Sequence, residues 1–227
     1  MHLFYAPEIT DKTQEYTLTE DESKHCVRVL RLKQGSRVEL LNGKGLSVLA
    51  EIKDDHPKKC TLHILSTEFH PRSAKEIHLA LAPTKNMDRL EWLMEKATEI
   101  GLSKMTFLKC DHNERGQLKL DRLEKIAISA MKQSKRYYLP EITELVSFQS
   151  FVQNHPNGFI GHCYPAEKID LNSIEESKVF LIGPEGDFSE NEVNFALQNG
   201  YQAVSLSDFR LRTETAALIS VMKLSLV

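Results

Sequence analysis

The chain is poor in cysteine and tryptophan and carries no long apolar run. Its cysteines, Cys26, Cys60, Cys110 and Cys163, lie far apart and form no CxxC pair. That argues against a zinc site or a disulfide framework and for reduced thiols. The histidines show no metal-ligand spacing, so no metal is expected. No apolar stretch approaches the length of a membrane span, and no membrane partner is expected. The segment Met1-His2-Leu3-Phe4-Tyr5-Ala6-Pro7-Glu8 lacks the basic and apolar blocks of a signal peptide, which leads us to expect a cytoplasmic protein. No Walker loop, no GxGxxG fingerprint, no internal repeat and no low-complexity tract is present. A net charge of −3 excludes a globally basic nucleic-acid binder.

What is present is an ordinary globular composition, with 41% hydrophobic and 27% charged residues in 227. That length suits one or two domains with a real core. The first third reads as β-rich. Short strands are expected at Val38–Leu41, Leu46–Ile52 and Cys60–Leu65, separated by turn signals at Asn42-Gly43-Lys44-Gly45 and Asp54-Asp55-His56-Pro57. The first turn suits a hairpin. A helix over Glu22–Leu32 would place His25, Val29 and Leu32 on one face. A small barrel with one short helix follows. His70 to Lys75 reads as a linker, giving domains at 1–71 and 72–227.

Beyond the linker the period changes. Apolar runs at Ile77–Ala82, Met105–Leu108, Phe159–Cys163, Val179–Ile182 and Ala203–Leu206 alternate with helical patterns. Leu90, Leu93, Met94, Ala97 and Ile100 mark one helix face, closed by Gly101. Leu120, Leu123, Ile126, Ala127, Ala130 and Met131 mark a second. Val193, Ala196 and Leu197 mark a third, ended by Gly200, and Thr213–Leu226 is a fourth. This alternation predicts an α/β fold with a parallel sheet covered on both faces.

The most informative stretch is Ile182-Gly183-Pro184-Glu185-Gly186-Asp187-Phe188-Ser189-Glu190-Asn191-Glu192. A buried strand stops at a glycine-rich turn, and Ser189 with Glu192 forms a capping box that starts a helix. Ligands usually sit at the carboxyl ends of strands in such sheets. The alternative is a tight turn that holds nothing. Leu211-Arg212-Thr213-Glu214-Thr215-Ala216 also follows an apolar run. There Arg212, flanked by apolar and small residues, reads as a held guanidinium; the alternatives are an Arg212–Glu214 surface pair or a cap at Thr213. Glu185 and Glu214 could form a carboxylate pair, although a structural role is favoured for Glu185. His162 ends the Phe159–Cys163 run, at a sheet edge near the ligand. Two basic groups stand out: Lys24, Arg28, Arg31, Lys33 and Arg37 with no acid among them, and Lys132, Lys135 and Arg136 running into Tyr137 and Tyr138. Either group is a solvated face or a nucleic-acid contact.

The order of features resembles the SPOUT-superfamily RNA methyltransferases, and among them the ribosomal RNA small-subunit methyltransferase E family. The matching pieces are His25-Cys26-Val27-Arg28-Val29-Leu30-Arg31, Lys96-Ala97-Thr98-Glu99-Ile100-Gly101, and Ser129 to Arg136 before Pro140-Glu141-Ile142. They continue with Leu181-Ile182-Gly183-Pro184-Glu185-Gly186 and Leu211 to Ala216. The set covers nearly the whole chain in order. The resemblance implies a PUA-like β-barrel RNA-binding domain before an α/β domain with a C-terminal trefoil knot. It implies a homodimer, an S-adenosyl-L-methionine (SAM) cofactor, and methylation of N3 of one uridine in 16S rRNA of the small ribosomal subunit. Carried over by position, SAM would be held by Ile160, Gly161 and His162, by Ile182, Gly183, Pro184, Glu185 and Gly186, and by Leu206, Ser207, Leu211 and Thr215. Catalysis would fall to Arg212, with Glu214 as the weaker candidate for proton handling. The two basic groups would contact RNA. The chain departs from the family at Ser207 and Phe209, where glycine and arginine are usual, and at Asp187, where a second glycine is frequent. Two other readings stay open: a methyltransferase for another RNA position, such as a ribose 2′-hydroxyl of transfer RNA, and a ribosome-assembly protein without catalysis.

Overall fold

The computed structural model describes residues 1–113 and 118–227. They form two compact units, Met1–Arg72 with Met131–Leu139, and Ser73–Ala130 with Pro140–Val227.

The first unit contains β1 (Leu3–Tyr5), β2 (Glu15–Thr17), α1 (Glu20–Lys24), β3 (Arg37–Leu41), β4 (Leu46–Asp54) and β5 (Thr61–Phe69). Its five-stranded sheet has the order β1-β3-β4-β5-β2, with only β1–β3 parallel. Alternating Val38, Leu40, Val48, Ala50, Ile52 and Leu62 face one core, as a period of two requires. Register shifts between Leu49/Ala50 and Ile52/Asp54 bend the long β4–β5 pair. The Asn42–Gly45 turn does close the β3–β4 hairpin. Asn42 Oδ1 accepts from the Lys44 and Leu46 amides at 2.8 and 3.0 Å. Gly45 has φ +96°, and a Cβ there would meet the Tyr138 ring and lie 2.7 Å from the His70 carbonyl. The reason is a late segment of chain. Gly45 N–H donates to Tyr137 O at 3.0 Å and Leu139 N–H donates to Gly43 O at 2.9 Å, so residues 131–139 join this unit.

The helix expected over Glu22–Leu32 is shorter and turned. It runs Glu20–Lys24 and continues as a π-helical turn over His25–Val29, where Leu30 N–H reaches back to His25 O at 2.9 Å. The wider turn shifts the inward face by one residue. Ser23 and Cys26 are buried, while His25 is exposed and Val29 is 66% exposed. Of the expected face, Leu32 packs on the core and the His25 ring meets Phe4 edge-on.

The second unit contains β6 (His78–Leu81), α2 (Met87–Ile100), β7 (Lys104–Lys109), α3 (Leu120–Ser134), β8 (Glu141–Ser147), α4 (Phe148–Asn154) and β9 (Phe159–Gly161). It continues with β10 (Ile169–Asp170), β11 (Phe180–Ile182), α5 (Glu190–Gln198), β12 (Gln202–Ser205) and α6 (Thr213–Leu226). The last turn of α3 belongs to the first unit. Seven strands form a wholly parallel sheet in the order β10-β12-β9-β11-β6-β7-β8. Leu79, Ala80, Leu81, Ile160, Leu181 and Phe180 are fully buried, which explains why these strands read as unbroken apolar runs. Gly101 ends α2 in the left-handed conformation, and Ser189 with Glu192 caps α5 reciprocally. Leu197, expected on the buried face of α5, is 39% exposed instead; the helix buries Glu192, Val193 and Ala196. Strands β8 and β10 were not expected. The first is half-buried and polar, and the second is two residues long. No helix among the described residues is long and apolar enough to cross a membrane.

Candidate functional site

Strands β12, β9 and β11 are neighbours although the chain visits them far apart. Their parallel direction sends the loops after all three out on one side. These loops and the start of α6 line a cavity of about 940 Å³. Strand β9 is interior, so the edge on which His162 sits is the carboxyl edge of the sheet rather than a flank.

Acidic side chains hold the loops by binding backbone donors. Asp187 has φ +66°, an unfavourable conformation for a side-chain-bearing residue. Its Oδ2 accepts the Cys163 amide at 2.7 Å and its Oδ1 accepts the Phe188 amide at 2.8 Å. It thus ties the loop after β9 to the loop after β11. Glu185 Oε1 accepts the Lys85 amide at 2.8 Å, the structural role favoured for it above. Glu192, buried, accepts from Ser189 N–H at 2.8 Å and from Asp111 N–H at 2.9 Å. At Gly183 the turn is tight, since a Cβ there would lie 3.0 Å from Phe188 N.

Of the residues expected at the site, Gly161, His162, Ile182, Gly183, Pro184, Glu185, Gly186, Leu206, Ser207 and Leu211 line the cavity, with Arg212 and Glu214. Ile160 and Thr215 do not; Ile160 is buried in the core of the sheet. Arg212 is the N-cap residue of α6, and its side chain is exposed at the cavity. Glu214 is 8% exposed and pairs not with Arg212 but with Arg89, Nε to Oε1 3.5 Å. Arg89 comes from α2, and nothing in the sequence linked it to Glu214. Thr213 is the first residue of α6 rather than its cap. Ser207 Oγ accepts the Phe209 amide at 3.1 Å and so braces the last loop from within.

His162 carries the clearest sign of a missing partner. It is 8% exposed, and neither ring nitrogen has a hydrogen-bond partner. Burial holds its pKa below the usual imidazole range, Lys168 adds to that and Asp187 opposes it. A neutral imidazole presents one donor and one acceptor, and leaving both unmade costs free energy unless a ligand supplies them.

The residues expected to contact RNA lie in the first unit. Arg28 and Arg31 are exposed. Lys24 pairs with Glu20 at 2.8 Å, Lys33 approaches Asp55 at 3.9 Å, and Arg37 stands opposite Glu51 across the hairpin. Lys132 pairs with Glu22 at 2.9 Å. Lys135, in the left-handed conformation at φ +55°, ends α3, and the Arg136 amide returns to Met131 O at 3.0 Å. Tyr137 and Tyr138 are half-buried rather than splayed outward. Tyr137 stacks on His70 with centroids 3.4 Å apart, and the Arg72 guanidinium lies 5.8 Å from the centre of the Tyr138 ring.

A parallel sheet with this cavity, together with a small β-rich unit built mostly from the residues before it, defines a class. The RNA methyltransferase domain family matches residues 71–225, and the RNA methyltransferase PUA domain family matches residues 18–65. The chain belongs to the RNA methyltransferase family. More narrowly, it is similar to the ribosomal RNA small subunit methyltransferase E of Buchnera aphidicola, 27% identical over 97% of this chain and 91% of that one. Among solved structures, a chain described as a "probable rRNA-methyltransferase" from Porphyromonas gingivalis is 36% identical with a TM-score of 0.88, covering 97% of this chain and 95% of its own. The ribosomal RNA small subunit methyltransferase E of Neisseria gonorrhoeae, bound to S-adenosyl methionine, is 27% identical with a TM-score of 0.84, over 97% and 95%.

Proposed function

We propose that this chain transfers a methyl group from SAM to N3 of a uridine in 16S rRNA of the small ribosomal subunit. The observation that carries the reading is the convergence of the loops after β9, β11 and β12 on one cavity containing the orphaned His162. Family membership and the SAM-bound relative support it. When bound, SAM supplies an electrophilic methyl group on a sulfonium.

The chain's own residues do the rest. The glycines at 161, 183 and 186 let backbone approach the cofactor closely. His162 gives it a donor and an acceptor. Asp187 keeps two of the loops in register. Uridine N3 must lose a proton before or during attack, and the charge left behind spreads onto O2 and O4. Arg212, exposed at the cavity, is placed by this reading against those oxygens. Glu214, held by Arg89, is the candidate proton acceptor. N3 lies on the Watson–Crick edge, so the base must be unpaired or flipped to reach the cavity. Arg28, Arg31 and the other cations of the first unit would grip phosphates and position the RNA without reading its sequence. A cytoplasmic homodimer and a C-terminal knot belong to the same reading. Exposed Met222 and Leu226 on α6 offer apolar surface to a second copy.

Labelled SAM, small subunits from cells lacking this gene, and separation of the nucleosides test the proposal. Label in N3-methyluridine is expected. Label in another nucleoside moves the target, and no label together with no SAM binding favours an assembly protein.

A further inference from the structure

Phe209 is 82% exposed, more than any other large apolar side chain among those of the described residues found at the surface. It stands on the loop between β12 and α6, at the mouth of the cavity. Its amide is fixed by Ser207 Oγ at 3.1 Å, so the ring is presented on a braced turn rather than a free end. Arg210 and Arg212 follow it, both exposed and both lining the same cavity. Asp208 precedes it and also lines the cavity, so the ring has a carboxylate on one side and Arg210 on the other. An aromatic ring left in water is unfavourable for the free protein, and beside Arg210 it suits a flat base with an adjoining phosphate. The inner part of the cavity has a different character, with glycines, backbone and a buried imidazole. The mouth is where a base pulled out of its helix would arrive, and such a base loses its stacking partners on the way.

We propose that Phe209 is the stacking platform for the target base, with Arg210 on the adjoining backbone, and that it sets substrate affinity rather than cofactor affinity. The inference rests on the methyl-transfer reading above for the nature of the base. Stacking on an aromatic side chain is worth enough to change affinity roughly tenfold to a hundredfold per base.

The test compares the wild type with Phe209→Ala, Phe209→Leu and Phe209→Tyr, in the full chain. Two probes are used: a short RNA with a single unpaired uridine, and the same RNA with an abasic ribose there. Calorimetric titration with SAM and the solution mass are measured alongside. Phe209→Ala should weaken the uridine RNA roughly tenfold or more and leave the abasic RNA and SAM affinity unchanged. Phe209→Tyr should restore binding, and Phe209→Leu, apolar without a π face, should not. Equal losses on both RNAs would overturn the proposal, as would a leucine that serves as well as tyrosine. A parallel loss of SAM affinity would assign Phe209 to the cofactor, and a changed solution mass would assign it to a subunit interface; either result overturns the proposal. If the wild type transfers no methyl group, the reaction assigned above fails, while the uridine-against-abasic comparison still decides the role of Phe209.

Discussion

The loops at the cavity and the surface of the N-terminal unit use their carboxylates differently. At the cavity, Glu185, Asp187 and Glu192 accept backbone N–H groups, each from a residue distant in sequence or in another loop, while carboxylates elsewhere in the parallel-sheet unit meet Lys and Arg side chains. In the N-terminal unit, Glu20 and Glu22 meet lysine side chains, Lys24 and Lys132. A carboxylate bound to backbone fixes where a loop runs. One bound to a lysine fixes little, since exposed pairs contribute about 0–1 kcal/mol. The lesson is that the cavity loops are set by a few replaceable side chains, whereas the charged surface of the N-terminal unit is free to change with little effect on folding.

The largest way to break that contrast is at the rim. Arg212→Ala should lower turnover by a hundredfold or more with SAM affinity little changed, because the side chain stands exposed at the cavity and is placed against the base. Steady-state rates with the subunit substrate check this, and near-normal turnover would remove Arg212 from the reaction.

Glu192→Ala should lower stability by about 2–4 kcal/mol, since it strands two amide donors at a buried position. Denaturant unfolding measures it; a loss below ~1 kcal/mol would show that the cap matters less than its geometry suggests.

Asp187→Gly sharpens the comparison, because it removes the tie and the strain together. The left-handed backbone becomes comfortable while the bond to the Cys163 amide is lost. SAM affinity should fall roughly tenfold, with a smaller loss of stability than for Asp187→Ala. If both variants lose stability equally and bind SAM normally, the tie is not what orders the site.

A pH effect comes next. His78 is buried against His155 and Lys104, and its pKa is pushed down to about 3, with burial the largest cause. The unfolded ring takes its proton near 6.5, so stability is full above that and falls as the pH drops from 6.5 toward 3. The slope should reach no more than about 1.4 kcal/mol per pH unit from this group. His78→Gln, keeping a partner for Thr106 Oγ1, should flatten that acid limb of the melting curve.

The smallest effect is expected at Lys132→Ala, which breaks the half-buried pair with Glu22 and should cost about 1 kcal/mol. Its consequence should appear in RNA affinity and its salt dependence instead. A large loss of stability would contradict the contrast between the cavity loops and the N-terminal surface.

What the sequence made legible follows from the same physics. Buried parallel strands are apolar throughout, so β6, β7, β9, β11 and β12 stood out as runs, and the caps at Gly101 and Ser189 are local chemistry. The loops after β9, β11 and β12 were recognisable from motif order. Their meeting was expected only through the family resemblance, because strand order is a tertiary fact. Arg89 and Glu214 lie on α2 and α6, and no local signal joins them. The π turn at His25–Val29 rotated a face that an ideal helical period placed wrongly. Residues 131–139 were assigned with their neighbours in sequence, although their backbone bonds lie with Gly43 and Gly45.

The most direct test of the central claim is a titration of the isotope-labelled protein with SAM, followed by amide chemical shifts. Shifts should concentrate at residues 161–168, 182–187 and 205–216, the segments that line the cavity. No shifts at saturating SAM, or shifts confined to Met1–Arg72, would contradict the assignment of this cavity to the cofactor.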